Sequence, residues 1–311
     1  MADAKKIATR ESYGNALVEL GKTTDNVVVL DADLAGATKS GIFKKAFPDR
    51  FFDCGIAEGN MICVAAGLST MGIVPFVSTF AMFAAGRAFE QIRNSIWYPH
   101  LNVKICATHG GVSVGADGAS HQCCEDFALM RSIPGMTVVC PSDDVEARKA
   151  VKAAYEMEGP VYLRFGRAPM PVIHGEDYNF QFGKGEVLRD GKDVAIIATG
   201  ILVPQAVDAA KLLEKDGISA RVINMATIKP LDRELVIRAA KECGKIVTVE
   251  EHSIIGGLGE AVCAALAEEC PVPVRRVGVQ DVFGHSGSAD ELLKEFGLCA
   301  DSIAAKAKEL L

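Results

Sequence analysis

The chain has 311 residues, a formal net charge of −7, 49% hydrophobic and 23% charged residues. At roughly 100–200 residues per domain this length predicts two domains with cores of their own, and the composition is that of a globular chain rather than a disordered one. No apolar run reaches the about 18 residues of a membrane span, and no block of Lys and Arg is present, so neither a membrane nor a nucleic acid is expected as partner.

The stretch MADAKKIATRESYG has no apolar signal core. Of the ten cysteines, Cys54, Cys63, Cys106, Cys140 and Cys263 fall in apolar segments, where free thiols behave as small hydrophobes. Cys123 and Cys124 are adjacent, and no C-x-x-C occurs. The expected setting is a reducing cytoplasm.

In chain order, ESYGNALVELGKT (11–23) reads as a helix and NVVVLDAD (26–33) as a strand. RFFDCG (50–55) is a strand leading into the helical EGNMICVAAGLSTMG (58–72), followed by the strand VPFVSTF (74–80) and the helical FAAGRAFEQIRNSIWY (83–98). NVKICATHG (102–110), MTVVCPSD (136–143) and PVYLRFGR (160–167) are further strands, with a helix at DVEARKAVKAAYEM (144–157). The strands are near-continuous apolar runs, the pattern of a parallel sheet covered on both faces. Strands alternating with helices predict an α/β fold.

A second unit repeats the alternation. DVAIIATG (193–200), SARVINMAT (219–227), KIVTVEEHS (245–253) and VPVRRVGV (272–279) read as strands, with helices near 203–216, 232–242, 258–269 and 288–296. Between the units lies PMPVIHGEDYNFQFGKGEVLRDGK (169–192), rich in Pro, Gly and polar residues. The expected division is a first domain at 1–170, a linker at 171–190 and a second domain at 191–311, each an open, mostly parallel α/β sheet. No short-period internal repeat is present.

Ligands of open parallel sheets bind beyond the carboxyl ends of the strands. Asp33, Phe80, His109 and Arg167 fall at the carboxyl ends of predicted strands of the first domain, and Glu58 just beyond one. Glu58 admits two readings. It is an acid in a first helical turn, favoured by the helix dipole, or a buried acid that shares a proton with a ligand nitrogen. The segment THGGVSVGADGASHQCCED (108–126) carries His109, Asp117, His121, Glu125 and Asp126 among four glycines. His109 and His121 are twelve apart and match no zinc template, so no metal is assigned to this chain. Imidazoles and a carboxylate suit a polyhydroxylated substrate. Arg10, Arg164 and Arg167 are candidates for phosphate, whose oxygens match the guanidinium fork. Phe80 and Phe83, three apart, can present a flat face to a planar ring. GGLGE (256–260) lacks the third Gly of a dinucleotide loop and the Lys of a P-loop, and reads as a tight turn into a helix.

The order IATRESYGNAL, DADLAGATKS, FFDCGIAEGNMICVAAGLSTMG, VPFVSTFAMF, ICATHGGVSVGADGASHQ, GPVYLRFGR and VFGHSGSADELLKEFGL resembles the C-terminal half of transketolase: its pyrimidine-binding domain and C-terminal domain. The resemblance spans essentially the whole chain. It implies thiamine diphosphate as cofactor and ketol transfer between sugar phosphates in the pentose phosphate pathway. By the resemblance, Glu58 is the catalytic glutamate on pyrimidine N1′, Phe83 stacks on the pyrimidine with Phe80 beside it, and Asp33 lies near the cofactor. His109, Asp117 and His121 match contacts to the sugar, His121 with a catalytic part, and Arg10 and Arg167 match the arginines that hold its phosphate.

Two positions depart from the family pattern. Ala37, followed by Thr38, stands at the serine that helps bind phosphate. Gly86, followed by Arg87, stands at an aromatic beyond Phe83. The family's Mg²⁺-diphosphate motif, GDG with a following Asn, is missing; the nearest match, Ala116-Asp117-Gly118, falls in the substrate loop. The implied protein is the second subunit of a split transketolase, paired with a diphosphate-binding N-terminal subunit that carries the Mg²⁺ ligands, as α2β2. The rival readings are the β subunit of a 2-oxo acid dehydrogenase E1, an unusual-sugar relative, the C-terminal half of deoxyxylulose-phosphate synthase, and a non-catalytic regulatory subunit.

Overall fold

The computed structural model of the chain describes residues 5–311. Strand β1 (Lys6–Ala8) runs directly into the helix Thr9–Thr23. Strands β2 (Val27–Asp31), β3 (Phe51–Asp53), β4 (Val74–Phe80), β5 (Lys104–Thr108), β6 (Thr137–Val139) and β7 (Val161–Phe165) form one parallel sheet in the order β6-β7-β5-β4-β2-β3. Every residue of β2, β4, β5 and β7 is buried, which is why their apolar runs show no alternation. The chain leaves β2 toward β3 on one side and β4 on the other, opening a crevice at the carboxyl ends.

Strand β8 (Pro169–Pro171) pairs antiparallel with β1 and ties the start of the first unit to its end. β9 (Glu186–Arg189), β10 (Val194–Ala198), β11 (Ala220–Asn224), β12 (Thr227–Lys229), β13 (Ile246–Ser253) and β14 (Val274–Val279) follow. The second sheet has the order β14-β13-β10-β11-β9, with β9 antiparallel and the rest parallel. The stretch 171–190, read as a linker, therefore contributes an edge strand.

The apolar run 219–227, read as one strand, belongs to two sheets. β11 stays in the second, whereas β12 pairs antiparallel with β6 at the edge of the first. Met225 N–H donates to Ala198 O and Cys140 N–H to Ala226 O at the crossing, both at 2.8 Å. Both halves are buried, so burial pattern alone does not mark the break. The units also share core: Val138, Cys140 and Tyr162 cluster with Ile197, Ile223 and Leu235.

The helices differ from expectation in two places, at 83–98 and at 300–308. The helix Glu58–Ser69 buries Glu58, Met61, Ile62, Ala65 and Ala66 but exposes Asn60, Cys63, Val64 and Gly67. The segment expected as one helix at 83–98 contains two wider π-helical turns, Met82–Arg87 and Ile92–Trp97, around Phe89–Gln91. The helix Ala300–Lys308 escaped the sequence reading. The GGLGE turn is as expected: Gly256 has φ 81°, and the helix Leu258–Glu269 follows. Its first N–H groups are taken by the chain's own Glu250 carboxylate, from Leu258 N at 2.6 Å and Gly259 N at 2.8 Å.

Candidate functional site

The carboxyl ends of β2, β4, β5 and β7 bring most of the expected residues together. Glu58 is the first residue of its helix and only 1% exposed, so both sequence readings of it hold in part: first turn, and buried. Its Oε2 accepts from Arg87 Nη1 at 2.7 Å, and Thr79 Oγ1 approaches Oε1 at 3.4 Å. The π-helical turn Met82–Arg87 aims Arg87 back at the carboxylate. The same guanidinium lies over the Phe83 ring, 4.6 Å from its centroid.

Phe80 ends β4 and is the centre of an aromatic cluster. Its ring stacks on His109 at 3.9 Å and lies nearly parallel to Phe83 at 5.8 Å. His121 meets Phe83 edge-on at 5.4 Å and Phe80 at 6.2 Å. His121 Nδ1 is 2.9 Å from Ser120 Oγ.

His109 follows β5 in the left-handed region, φ 60°, an uncommon conformation for a side-chain-bearing residue. Arg10 Nη1 donates to His109 Nε2 at 3.2 Å and to Ala37 O at 2.8 Å. With Nε2 accepting, the ring proton sits on Nδ1 and is donated to Thr108 Oγ1 at 2.8 Å. Burial first, then the charges of Arg10 and Arg167, push the His109 pKa down to about 3, so the ring is neutral at physiological pH.

Burial, and then the Arg167 charge, also lowers the Arg10 pKa. Arg10 and Arg167 line a cleft of about 870 Å³ between the two units, with Lys6, Ser113, Gly287 and Ser288. Two guanidinium groups facing one cleft suit an anion. Arg167 donates to Val114 O and stands 3.9 Å from the exposed Asp117 carboxylate. The β1 and β7 ends are joined by Gly166 N–H donating to Thr9 Oγ1 at 2.7 Å, which keeps residues 10 and 167 adjacent.

Asp33 lies at the same edge, exposed, with φ 62°. The residue that organises this motif is its neighbour Asp31, which the sequence reading passed over. Asp31 is fully buried at the end of β2, and its carboxylate accepts from Leu34 N at 2.6 Å, Thr38 Oγ1 at 2.7 Å and Ser40 Oγ at 2.8 Å. A carboxylate in a run VVVLDAD, followed within nine positions by Thr38 and Ser40, was the available signal.

Arg164, a candidate for phosphate from the sequence, does not line the cleft. It is 4% exposed and holds no outward face for phosphate. Its Nε lies 3.2 Å from Asp126 Oδ2, and its terminal nitrogens donate to Glu251 O at 2.9 Å and Cys123 O at 3.2 Å. The side chain points from β7 into the seam between the sheets, and only a residue pointing the other way reaches the cleft. Asp126 is likewise buried, receiving Tyr162 OH at 2.9 Å.

Two successive open α/β units with a buried acid, an aromatic platform and histidines at one sheet edge have the architecture of the doubly wound class, whose ligands bind at that edge. The chain matches the transketolase pyrimidine-binding domain over residues 5–171 and the transketolase C-terminal domain over residues 183–303. A protein of Methanocaldococcus jannaschii that carries the name of a transketolase C-terminal section is 52% identical over 303 residues, 96% of this chain and 95% of the relative. The 6-deoxy-6-sulfo-D-fructose transketolase subunit SqwH of Clostridium sp. is 44% identical over 97% of this chain and 94% of its own length. Human transketolase is 43% identical over 98% of this chain, which spans only 49% of that protein. A split-gene transketolase solved as an inactive β4 tetramer superposes with a TM-score of 0.90 at 55% identity, covering 99% of each chain. The chain belongs to the transketolase family and corresponds to its C-terminal section; the family depends on thiamine diphosphate.

The residues fit that cofactor's pyrimidine. A flat N–H donor, the Arg87 guanidinium, already sits on Phe83 while hydrogen-bonded to Glu58. An aminopyrimidine asks for those two contacts together. Among the described residues no group of three or more His, Cys, Asp or Glu is arranged to hold a metal ion. No helix of the described residues is long and apolar enough to cross a membrane.

Proposed function

We propose that this chain is the C-terminal subunit of a split transketolase acting in the cytoplasm. It would transfer a two-carbon ketol unit from a ketose phosphate such as xylulose 5-phosphate to an aldose phosphate such as ribose 5-phosphate, in the pentose phosphate pathway. The observation that carries this reading is the neighbour shared by Glu58 and Phe83, a planar N–H donor held at 2.7 Å from the carboxylate and 4.6 Å from the ring centroid.

Thiamine diphosphate supplies a nucleophilic carbon and an electron sink for breaking the bond beside a carbonyl. The chain's part is positional and protonic. Glu58 holds a proton with pyrimidine N1′ in a buried setting that strengthens the bond. Phe80 and Phe83 give the ring a flat apolar wall and exclude water, and Asp33 lies in the motif near the cofactor. Arg10 and Arg167 hold the sugar's phosphate, and neutral His109, oriented by Arg10 and Thr108, offers its ring to the donor. Asp117 and His121 face the sugar hydroxyls, and His121 moves a proton at the donor's oxygen.

The diphosphate and its Mg²⁺ are assigned to a separate N-terminal subunit in an α2β2 assembly, since this sequence lacks the GDG…Asn pair. The inactive β4 state of a relative of equal length supports the need for a second chain.

Ala37 favours one variant of this reading. At this position only a backbone carbonyl, not a hydroxyl, reaches Arg10. With a sulfosugar transketolase subunit among the relatives, a ketose with a different anionic end is the second candidate donor.

The test is a complex captured with this chain as bait, supplied with thiamine diphosphate, Mg²⁺, xylulose 5-phosphate and ribose 5-phosphate. Glyceraldehyde 3-phosphate released only when both sugars are present supports the proposal. A stable complex that transfers no ketol unit from the phosphate or the sulfonate donor would overturn it.

A further inference from the structure

The second domain reaches the glycine-rich loop through one carboxylate. Glu251, near the end of β13, is 4% exposed. Its Oε1 accepts the Ser113 N–H at 2.5 Å. The carboxyl passes over Gly111, whose φ is 78°; a Cβ there would lie 2.3 Å from the Glu251 carboxyl carbon. Gly110 leaves the room that Arg164 takes, since a Cβ would come within 1.8 Å of its Nε. The pair of glycines after His109 thus admits one acid and one base, and any larger residue would displace both.

The rest of the loop is held from the same side. Arg164 donates to the Glu251 carbonyl and to Cys123 O, joining β13 to the loop's far end. Gln122 Nε2 donates to Val112 O at 3.1 Å and to His285 O at 2.9 Å, a carbonyl that also belongs to the second domain. Between these anchors lie Asp117, which is exposed, and His121, which is half-buried with its ring edge-on to Phe80 and Phe83. Ser113 is 1% exposed, so its N–H has no water to turn to when its acceptor is removed, and the turn must move to find another. A misplacement of about 1 Å in a reacting group costs on the order of 10²-fold in rate.

We propose that Glu251 is a positioning residue of the donor site. Its carboxylate fixes the loop carrying His109, Asp117 and His121, so the second domain sets donor geometry in addition to any part in assembly. The kinetic consequence rests on the ketol-transfer reading; the structural consequence does not.

The experiment compares wild type, Glu251→Ala and Glu251→Gln, as the full chain for amide exchange and as the complex with its partner for kinetics. Exchange over residues 111–117 should rise about tenfold or more in Glu251→Ala, while the helices Thr9–Thr23 and Val203–Lys215 stay protected. Glu251→Gln keeps an oxygen for the Ser113 N–H and should stay within about threefold of wild type. In the complex, the donor KM should rise about tenfold in Glu251→Ala with the acceptor KM little changed, and Glu251→Gln should restore it. Unchanged exchange in the loop would overturn the proposal. So would exchange rising evenly through the second domain, the mark of a residue that only holds that domain together. Loop-confined exchange in a complex that carries out no ketol transfer would sink the ketol-transfer reading and leave the positioning role standing.

Discussion

Arg87 Nη1 donates to the Glu58 carboxylate at 2.7 Å while its guanidinium covers the Phe83 ring. The arginine side chain is half-exposed and the glutamate is buried, so the pair is asymmetric: Arg87 can swing away and Glu58 cannot. Without Arg87, Thr79 at 3.4 Å is the one side chain left hydrogen-bonded to the acid among the described residues. Arg87→Ala should therefore destabilise the chain by about 1–3 kcal/mol at pH 7, the cost of an unsatisfied buried acceptor. Chemical denaturation of the single variants and of Glu58→Gln/Arg87→Ala checks this. The double variant should lose less than the sum of the two, because the residues form one unit.

Glu58→Gln removes the acid but keeps the volume. In the reconstituted complex it should lower kcat for ketol transfer by about 10²–10⁴-fold, the usual contribution of a general acid–base group. Assembly, followed by sedimentation, should not change. Turnover near wild type would remove Glu58 from the catalytic role.

Arg10 touches two backbone-fixed partners, Ala37 O and the His109 ring, and faces the inter-domain cleft. Arg10→Ala should raise the KM for phosphorylated sugars about tenfold or more, since a charge-assisted contact is worth about 1.5–3 kcal/mol. The same variant should barely alter any turnover of unphosphorylated sugars. An equal loss for both classes would mean that Arg10 serves through His109 alone.

His174 binds the 171–190 stretch to the first domain. Its Nδ1 lies 3.1 Å from Asp143 Oδ2 and its Nε2 2.9 Å from Glu186 Oε2, with the ring buried. Burial pulls its pKa down, but Asp143, Glu146 and Glu186 outweigh that and raise it to about 9. The folded pKa exceeds the unfolded value of about 6.5, so this contribution is complete below about pH 6.5 and is lost as pH rises toward 9. Urea midpoints for wild type should fall between pH 6.5 and 9, and His174→Gln should flatten that fall. His109 works in the opposite sense. Its folded pKa of about 3 costs stability as pH drops from about 6.5, when the unfolded ring takes a proton that the folded one refuses.

The α/β alternation, both sheets and the gathering of Glu58, Phe80, His109 and Arg167 at one edge could be read from residues in order. Continuous apolar runs dictate strands buried on both faces, and a strand's carboxyl end is a position along the chain. The family motifs are likewise linear, which is how Phe83, Asp117 and His121 could be tied to the same site. The helix Ala300–Lys308 went unread, and the π-helical turns were not legible, because widened turns leave no clean period.

Contacts between distant segments were hidden. Arg164 looked like Arg167, three residues away, yet one is buried against Asp126 and the Glu251 carbonyl and the other lines the cleft. Successive positions along the chain tell which side a residue faces but not what waits there. The link between Glu251 and Ser113 spans 138 positions, and β12 leaves its own neighbours to pair with β6. Local periodicity reports burial and element type. The partner of a buried charge, and the sheet that an apolar strand joins, depend on how two finished units pack, and that is set by long-range burial energy summed over the whole chain.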